Sequence, residues 1–426
     1  MTPTALSASQ AARYGLMGLP LAFVALPLYV LLPNHYARAF GVPLATLGAL
    51  LLATRLADAL IDPLLGRISD RLFRRSVPAL LAYAAAACLL MGAGFALLFF
   101  PPLRSGAGLV AFSAAMLMLT YASFSAVTLA HQSWGALLGG DALRQSRLVA
   151  WREGLGLVGV LLASVAPVAL GLPAMVGLFW LALVLGWLAW RLAPRPHPVA
   201  AQAEAAADGE TAGVWLPWRR GPFRRLLLVF VLNGIASAVP ATLVLFFVQD
   251  RLQATTAMEP LFLGSYFLAA ALSMPLWLAA VRRFGLARSW LAGMGLAVAV
   301  FVWAATLGAG DGLLFIAICV LSGAALGADL VMPGAMLAGL IARAGDLGRV
   351  QGAYYGWWNF ATKLNLALAA GLALPLLALF GYVPGTREPQ ALQALTVAYC
   401  LLPCVLKLAA AGLLYSFFIS GKKGSP

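Results

Sequence analysis

The chain has 426 residues, of which 63% are hydrophobic and 10% are charged, and its formal net charge is +14. Ordinary soluble domains carry about 25% charged residues and are less than half apolar. This composition therefore excludes soluble enzymes, nucleic-acid-binding proteins and disordered chains as descriptions of the whole chain, and it indicates a multi-pass protein of the lipid bilayer.

Continuous apolar stretches of about 20 residues, the length that crosses a bilayer, recur along the whole chain. The first lacks the basic region and cleavage site of a signal peptide, so we expect it to be retained. The sequence predicts an all-α polytopic membrane protein with twelve transmembrane helices. The predicted spans are 14–33, 44–66, 77–100, 107–136, 148–170, 173–192, 225–248, 260–281, 288–308, 312–341, 352–380 and 393–418.

The distribution of Lys and Arg predicts the orientation of these spans. With both termini cytoplasmic, most basic residues between spans lie on the inner side, and the outer side holds only Arg38, Arg104, Arg251 and Arg387. This is the bias that the positive-inside rule describes. It also explains the net positive charge without a nucleic-acid partner.

Charged residues first enter a predicted span in the second one. Arg55, Asp58 and Asp62 are spaced three and four residues apart, so they share one helix face. Two carboxylates this close to each other inside a bilayer need a proton, a cation or an arginine to compensate their charge. The sequence favours a cation-coupling site of Asp58, Asp62 and Arg55. The alternative is a structural ion pair near the cytoplasmic end, which fits Asp62 better than Asp58.

Directly after this span, Gly66–Arg75 reads G-R-I-S-D-R-L-F-R-R. It resembles the G-x-x-x-D-R-x-x-R-R signature of the major facilitator superfamily between helices 2 and 3. In this interpretation Asp70 pairs with arginines or with a helix end at the cytoplasmic face and latches one conformation. The predicted gating residues are Gly66, Asp70, Arg71, Arg74 and Arg75. The alternative is a solvated basic turn that only fixes topology.

Further polar and aromatic residues inside or beside spans are candidates for a substrate cavity. Each also has an ordinary structural interpretation as a packed core residue, an ion pair or part of an interfacial aromatic belt. Lys407 has no motif, and its role stays open. The candidates are Thr128, His131, Trp134, Arg152, Asp329, Trp358, Asn359 and Lys363.

The longest polar interval divides the chain into a six-helix half, 1–193, a cytoplasmic linker, 194–224, whose middle we expect to be mobile, and a second six-helix half, 225–426. The halves carry similar stretches about half the chain apart, P-L-L-G-R-I-S-D-R-L-F-R-R-S from Pro63 and P-L-W-L-A-A-V-R-R-F-G-L-A-R-S from Pro275. Tandem six-helix halves joined by such a linker are the arrangement of the major facilitator fold.

Longer segments resemble one branch of that superfamily, the glycoside–pentoside–hexuronide cation symporters (the melibiose permease-like family). They are D-A-L-I-D-P-L-L-G-R-I-S-D-R in helix 2, the stretch from His131 to Glu153, and G-A-Y-Y-G-W-W-N-F-A-T-K from Gly352. The resemblance implies that Asp58 and Asp62 bind the coupling cation, that Lys363 lies near the site, and that Arg152 lies on the substrate side.

Two departures from the family pattern concern the coupling ion and the substrate. Ile61 stands where the family's sodium site has a polar residue, which favours a proton over sodium. Thr128 or apolar residues stand where sugar-binding members carry acidic residues in helices 1 and 4.

The sequence therefore predicts a symporter of a small organic solute, glycoside-like by resemblance, that works by alternating access. It would use a coupling proton or sodium ion, no other cofactor and no metal site. The four cysteines lie in apolar segments without metal-binding spacing, and no catalytic nucleophile motif is present, so we expect no enzyme. The alternatives are a carrier of lysolipids or other amphiphiles, and a non-transporting receptor or assembly protein. We further expect a monomer in a bacterial inner membrane.

Overall fold

A computed structural model describes residues 7–196, 213–255 and 258–420. All regular structure in these ranges is helical, and no strand occurs in them, which confirms the predicted all-α class. The elements up to residue 219 are α1 (Ala8–Gly15), α2 (Gly18–Leu26), a π-helical turn (Pro27–Leu31), α3 (Leu32–Phe40), α4 (Leu44–Arg75), α5 (Val77–Phe99), α6 (Gly106–Leu137), α7 (Ala142–Ala169), α8 (Gly171–Arg191) and α9 (Leu216–Arg219).

The remaining elements contain two further π-helical turns and one 3₁₀ turn. They are α10 (Gly221–Phe246), the π turn Phe247–Arg251, α11 (Glu259–Phe284), α12 (Leu286–Phe301), the 3₁₀ turn Val302–Thr306, α13 (Gly312–Arg343), α14 (Gln351–Leu379), α15 (Pro389–Thr396), the π turn Val397–Leu401 and α16 (Leu402–Phe418).

Ten helical runs in the described ranges are long and apolar enough to cross a membrane, as a multi-pass membrane protein requires. The two other predicted spans, 44–66 and 352–380, fall on α4 and α14. Each predicted span thus corresponds to a helix, while twelve crossings and cytoplasmic termini stay predictions. The ten runs are Ala8–Tyr29, Val77–Phe99, Gly106–Leu137, Ala142–Ala169, Gly171–Arg191, Gly221–Arg251, Glu259–Phe284, Leu286–Thr306, Gly312–Arg343 and Pro389–Phe418.

Helix α4 continues nine residues beyond the predicted end of its span, so the basic motif is helical and not a loop. It ends at Ser76, whose backbone is extended and whose hydroxyl accepts the N–H of Ala79 at 3.1 Å. Ser76 is therefore both the C-cap of α4 and the N-cap of α5. The connection between α4 and α5 is a single residue, which fixes where the motif ends.

The described residues form two compact units. The first comprises Met1–Arg219 together with Ala338–Phe360, and the second comprises Arg220–Leu337 together with Ala361–Pro426. Residues 338–360 thus group with the N-terminal part of the chain although they are far away in sequence. The predicted linker contains α9 and the start of α10, and its middle, 197–212, lies outside the described residues.

Glycines let α7 lie directly against α2 within the first unit. A Cβ on Gly18 would stand 2.2 Å from the carbonyl oxygen of Arg152, and one on Gly159 would stand 2.1 Å from that of Leu19. Both distances are far below van der Waals contact, so only glycine permits this approach. The contact places Arg152 against α2.

In the second unit, Asp250 in the π turn after α10 connects this turn to the loop that contains Tyr382, Gly385 and Arg387. This buried carboxylate accepts the hydroxyl of Tyr382 and, at 3.0 Å, the N–H of Gly385, and Arg387 donates to the Asp250 carbonyl at 3.0 Å. Burial, together with the hydrogen bond to Asp250, raises the pKa of the Tyr382 hydroxyl above its ordinary value, so the phenol remains a donor. One carboxylate therefore fixes the loop between α14 and α15.

Candidate functional site

The two carboxylates of the predicted coupling pair are buried in the first unit. Asp58 is 3% exposed and Asp62 is 0% exposed, one turn apart on α4. The hydroxyl of Ser125 on α6 donates to Asp58 Oδ1 at 2.9 Å. A buried carboxylate is costly unless it is hydrogen-bonded, paired or protonated, and a hydroxyl donor lowers this cost for the ionised form.

Arg55 belongs to the same part of the unit as Asp58. Its guanidinium carbon lies 3.4 Å from the centroid of the Tyr29 ring, a close cation–π contact. Tyr29 stacks on Tyr121 with ring centroids 6.2 Å apart, and Tyr121 lies one turn before Ser125 on α6. One polar cluster within the first unit thus receives residues from α4, from α6 and from the π-helical turn that follows α2.

The polar face of α6 continues beyond Ser125. Thr128 and Gln132 follow at spacings of three and four residues, which keeps all three on one helix face. Thr128 Oγ1 and Gln132 Oε1 are buried and have no hydrogen-bond partner among the described residues. Since buried polar atoms are normally satisfied, this face is suited to water or to polar groups of a ligand.

Asp70 contacts both kinds of partner that the sequence suggested, a helix end and an arginine. Its side chain is buried, and it accepts the backbone N–H of Gly352 at 2.6 Å and that of Ala353 at 3.2 Å, in the first turn of α14. The arginine that reaches it is Arg67, one turn earlier, at 3.5 Å. The other arginines of the predicted gating set are exposed: Arg71, Arg74 and Arg75. Asp70 therefore binds the amino end of a helix, where a negative charge is favoured.

Glycines bring α4 and α14 into backbone contact at this point. A Cβ on Gly66 would stand 2.0 Å from the carbonyl oxygen of Gly352, and a Cβ on Gly356 would stand 2.8 Å from that of Asp62. Gly352 and Gly356 are four residues apart, the spacing of close helix contacts in membranes. The predicted gating residues Gly66 and Asp70 thus contact the same short segment of α14.

His131 and Trp134 lie in the aromatic core of the first unit, and neither is exposed. The His131 ring stacks on Tyr14 with centroids 4.2 Å apart, meets Trp190 edge-on at 4.9 Å, and its Nε2 is 2.8 Å from the Tyr14 carbonyl oxygen. Trp134 donates to the carbonyl oxygen of Pro194 at 3.0 Å. These contacts describe packing, and the predicted substrate role of both residues stays a prediction.

The other predicted cavity residues are divided between the units. Arg152 forms an ion pair of 2.6 Å with Glu153 in the first unit, which also contains Trp358, buried, and Asn359, half-buried. Lys363, half-buried, belongs to the second unit. Their roles at a substrate site stay predictions.

The second unit contains a charged cluster that sequence reasoning identified only in part. Lys407 on α16 lies 2.6 Å from Asp329 on α13, and it also donates to Asn233 at 2.9 Å and to Ser237 at 3.3 Å, both on α10. Trp290 on α12 donates to the other oxygen of Asp329 at 2.8 Å. Four helices meet at this cluster, which borders a cavity of about 360 Å³.

Lys407 carries no motif, and for this reason the sequence left its role open. One signal in the sequence could have predicted the pair. Lys407 and Asp329 are a cation and a carboxylate inside apolar spans of the same half, and such charges usually pair. In the described ranges no group of three or more His, Cys, Asp or Glu side chains is arranged to hold a metal ion.

Comparison with known proteins agrees with a transport function. Residues 11–421 match the family described as MFS/sugar transport protein. A Bacillus subtilis (strain 168) protein described as the uncharacterized symporter YjmB is 23% identical over 427 residues, which cover 91% of this chain and 87% of that protein.

Solved structures share the fold at low sequence identity. A bacterial homologue of the iron transporter ferroportin, in an outward-facing state with soaked iron, has a TM-score of 0.69 and 16% identity, with 96% of this chain and 98% of that one covered. The human organic anion transporter MFSD10 has a TM-score of 0.65 and 19% identity, covering 97% and 100%. A variant of the E. coli fucose:proton symporter FucP has a TM-score of 0.61 and 15% identity, covering 93% and 98%. At these identities the likeness establishes the fold alone. With nearly its whole length matched, the chain belongs to the MFS/sugar transport protein family of the major facilitator superfamily: it is a secondary transporter and not an enzyme.

Proposed function

We propose that the chain is a cation-coupled symporter of a small organic solute, with a proton as the coupling ion. The observation that carries this proposal is the burial of Asp58 and Asp62 one turn apart on α4, with the Ser125 hydroxyl on Asp58. Ile61 between the two carboxylates supplies no oxygen ligand for sodium. Proton uptake by one carboxylate removes a charge that is costly at this depth.

Asp58 has polar neighbours that suit a coupling site. The Ser125 hydroxyl donates to it, and Arg55 on the same helix lies over the Tyr29 ring. We propose that Asp58 and Asp62 share one proton, as closely spaced carboxylates can. In the proposed cycle, the pair binds its proton before the solute binds, and release of solute and proton on the other side completes transport.

We propose that Asp70 and its glycine neighbours act as the cytoplasmic gate. The carboxylate holds the first turn of α14 against α4, and the segment 338–360 must leave α4 for the gate to open. Arg71, Arg74 and Arg75 then contribute to the positive surface of the inner side and not to the latch itself.

The solute class has two candidates. A glycoside-like solute follows from the family resemblance, and the fucose:proton symporter that shares the fold couples a sugar to protons. A lysolipid or other amphiphile is favoured by a specific observation, the largely apolar wall of the cavity in the second unit. We place the protein in a bacterial inner (plasma) membrane, in keeping with its relative in Bacillus subtilis, and we propose that it is a monomer.

The experiment that tests the proposal begins with thermal-shift measurements on the purified protein across sugars, organic anions and lysolipids. The solute that stabilises the protein most is then used for uptake into proteoliposomes under an inward proton gradient, an inward sodium gradient or no gradient. Accumulation under the proton gradient alone is expected. Accumulation under the sodium gradient alone refutes proton coupling, and accumulation under neither refutes symport.

A further inference from the structure

The cavity of about 360 Å³ in the second unit lies among α10, α11, α12, α13 and α16. Its wall is mainly aliphatic and aromatic, and its charged groups are those of Asp329 and Lys407. The volume is within the range of small-molecule sites, which combine an apolar wall with a few convergent polar groups. A fitting ligand has an apolar body and one charged group.

The serine and threonine hydroxyl groups in the wall already donate to the protein's own backbone. Ser237, Thr242 and Ser322 each donate to the carbonyl oxygen four residues earlier in their own helix, at 3.1, 2.9 and 2.6 Å. A sugar brings many hydroxyls that each need a partner, and several would stay unsatisfied after burial. The wall therefore favours an amphipathic ligand over a sugar.

The Lys407–Asp329 pair is built so that its two members can separate. Trp290 holds Asp329 Oδ1 independently of the lysine, and Asn233 and Ser237 hold the lysine independently of the aspartate. Both charged side chains keep about a tenth of their surface exposed, 10% for Lys407 and 11% for Asp329. Only the 2.6 Å contact between them has to break for an anion to reach the ammonium group.

Charge balance then determines what must accompany the anion. The pair is neutral as it stands, and a carboxylate that replaces Asp329 on Lys407 leaves one excess negative charge in an apolar site. A proton taken from water onto Asp329 Oδ2 removes that charge, while Oδ1 still accepts from Trp290. The other titratable groups at the cavity are phenols and thiols, which are neutral in apolar surroundings and cannot compensate the charge: Tyr266, Cys319, Tyr399 and Cys404.

We infer that this cavity is a binding site for a small amphipathic carboxylate, whose carboxylate group takes the place of Asp329 on Lys407 while Asp329 takes up one proton. The inference rests on the proposed function in naming a class of solute, and it adds a proton-binding residue outside the Asp58–Asp62 pair.

The test is isothermal titration of the purified full chain in nanodiscs with 4-phenylbutyrate, in two buffers of different ionisation enthalpy. The neutral 4-phenylbutyramide, which has nearly the same shape, is the control ligand. The wild type should take up about one proton per anion bound, so its affinity should fall about tenfold per pH unit as the pH rises. The amide should bind at least about tenfold more weakly and without proton uptake, as expected when a charge-assisted contact is lost.

Three variants assign the proton. Asp329→Asn keeps the side-chain shape, so the anion should still bind, with proton uptake and pH dependence lost. Asp311→Asn, at a carboxylate that caps a loop by accepting the Gly308 N–H, should behave like the wild type. Asp58→Asn should also keep the proton uptake, because the inferred proton resides on Asp329.

Absence of proton uptake in the wild type overturns the inference whether or not a variant folds, and so does equal affinity for the amide. Loss of uptake in Asp58→Asn with its retention in Asp329→Asn also overturns it, but agrees with the coupling pair of the proposed function. If Asp329→Asn loses the proton uptake, Asp58→Asn keeps it and no gradient drives accumulation, the inferred site is supported and the proposed function is refuted.

Discussion

Replacing Asp70 by Asn should loosen the contact between α4 and the first turn of α14. The carboxylate accepts two backbone N–H groups, from Gly352 and Ala353, and it is buried. Asparagine has a single carbonyl oxygen, so one of the two N–H groups keeps its acceptor. The other then faces the asparagine NH₂ group, which cannot accept a hydrogen bond.

The magnitude follows from three contributions. A buried N–H left without an acceptor costs about 1–3 kcal/mol. Loss of a negative charge at a helix amino end costs a further 0.3–2 kcal/mol or so, by order of magnitude. The neutral amide is easier to bury than a carboxylate, which offsets part of both. We expect a net loss of about 2 kcal/mol, an increase of about thirtyfold in the opening equilibrium of this contact.

Hydrogen exchange at the amides of Gly352 and Ala353 measures this equilibrium directly. Protection of the peptide that contains them should fall about thirtyfold in Asp70→Asn, while protection of α5 and α8 stays unchanged. Asp141→Asn is the matched control, because Asp141 also accepts a helix amino-end N–H, that of Arg144 at 2.8 Å, and asparagine is an equally good N-cap. Unchanged protection in Asp70→Asn would refute the latch.

Three further predictions concern packing and the loop after α14. Gly66→Ala places a Cβ 2.0 Å from the Gly352 carbonyl oxygen and should lower the free energy of unfolding by about 1–3 kcal/mol, measured by thermal unfolding. Gly48→Ala on the same helix is the control, because its Cβ would meet nothing within 4 Å, and it should leave this free energy unchanged. His131→Phe keeps the stacked ring and loses one hydrogen bond, so stability should fall by about 1 kcal/mol; an unchanged solute KM would contradict its predicted substrate role. Asp250→Asn leaves fewer acceptors for the loop that contains Gly385, whose amide protection should fall about tenfold by hydrogen exchange, and unchanged protection would contradict the role of this carboxylate.

The sequence predicted that Asp58 and Asp62 lie together because helix spacing alone places them on one face. It did not identify Ser125 as the partner of Asp58, since the two residues are 67 positions apart and a serine in an apolar span has many ordinary roles. Tertiary packing of α4 against α6 decides that contact. The polar atoms of Thr128 and Gln132 became informative only once burial was known.

The motif around Asp70 shows a different limit of sequence reasoning. It suggested arginines or a helix end as partners of Asp70, but it could not say which helix. The structure shows the amino end of α14, and a backbone N–H leaves no trace in a sequence except through the glycines that allow close approach. Similarly, Asp329 and Lys407 were both visible as charges within spans, but their pairing depends on the register of α13 against α16.

The central claim, that the Asp58–Asp62 pair couples a cation to solute movement, is tested most directly by comparing accumulation with exchange. Wild type and Asp58→Asn are reconstituted in proteoliposomes with the solute found by thermal shift, and Asp311→Asn serves as the control. We predict that Asp58→Asn still exchanges internal for external solute but no longer accumulates it under an inward proton gradient, while the control does both. Accumulation by Asp58→Asn equal to that of the wild type would contradict the account.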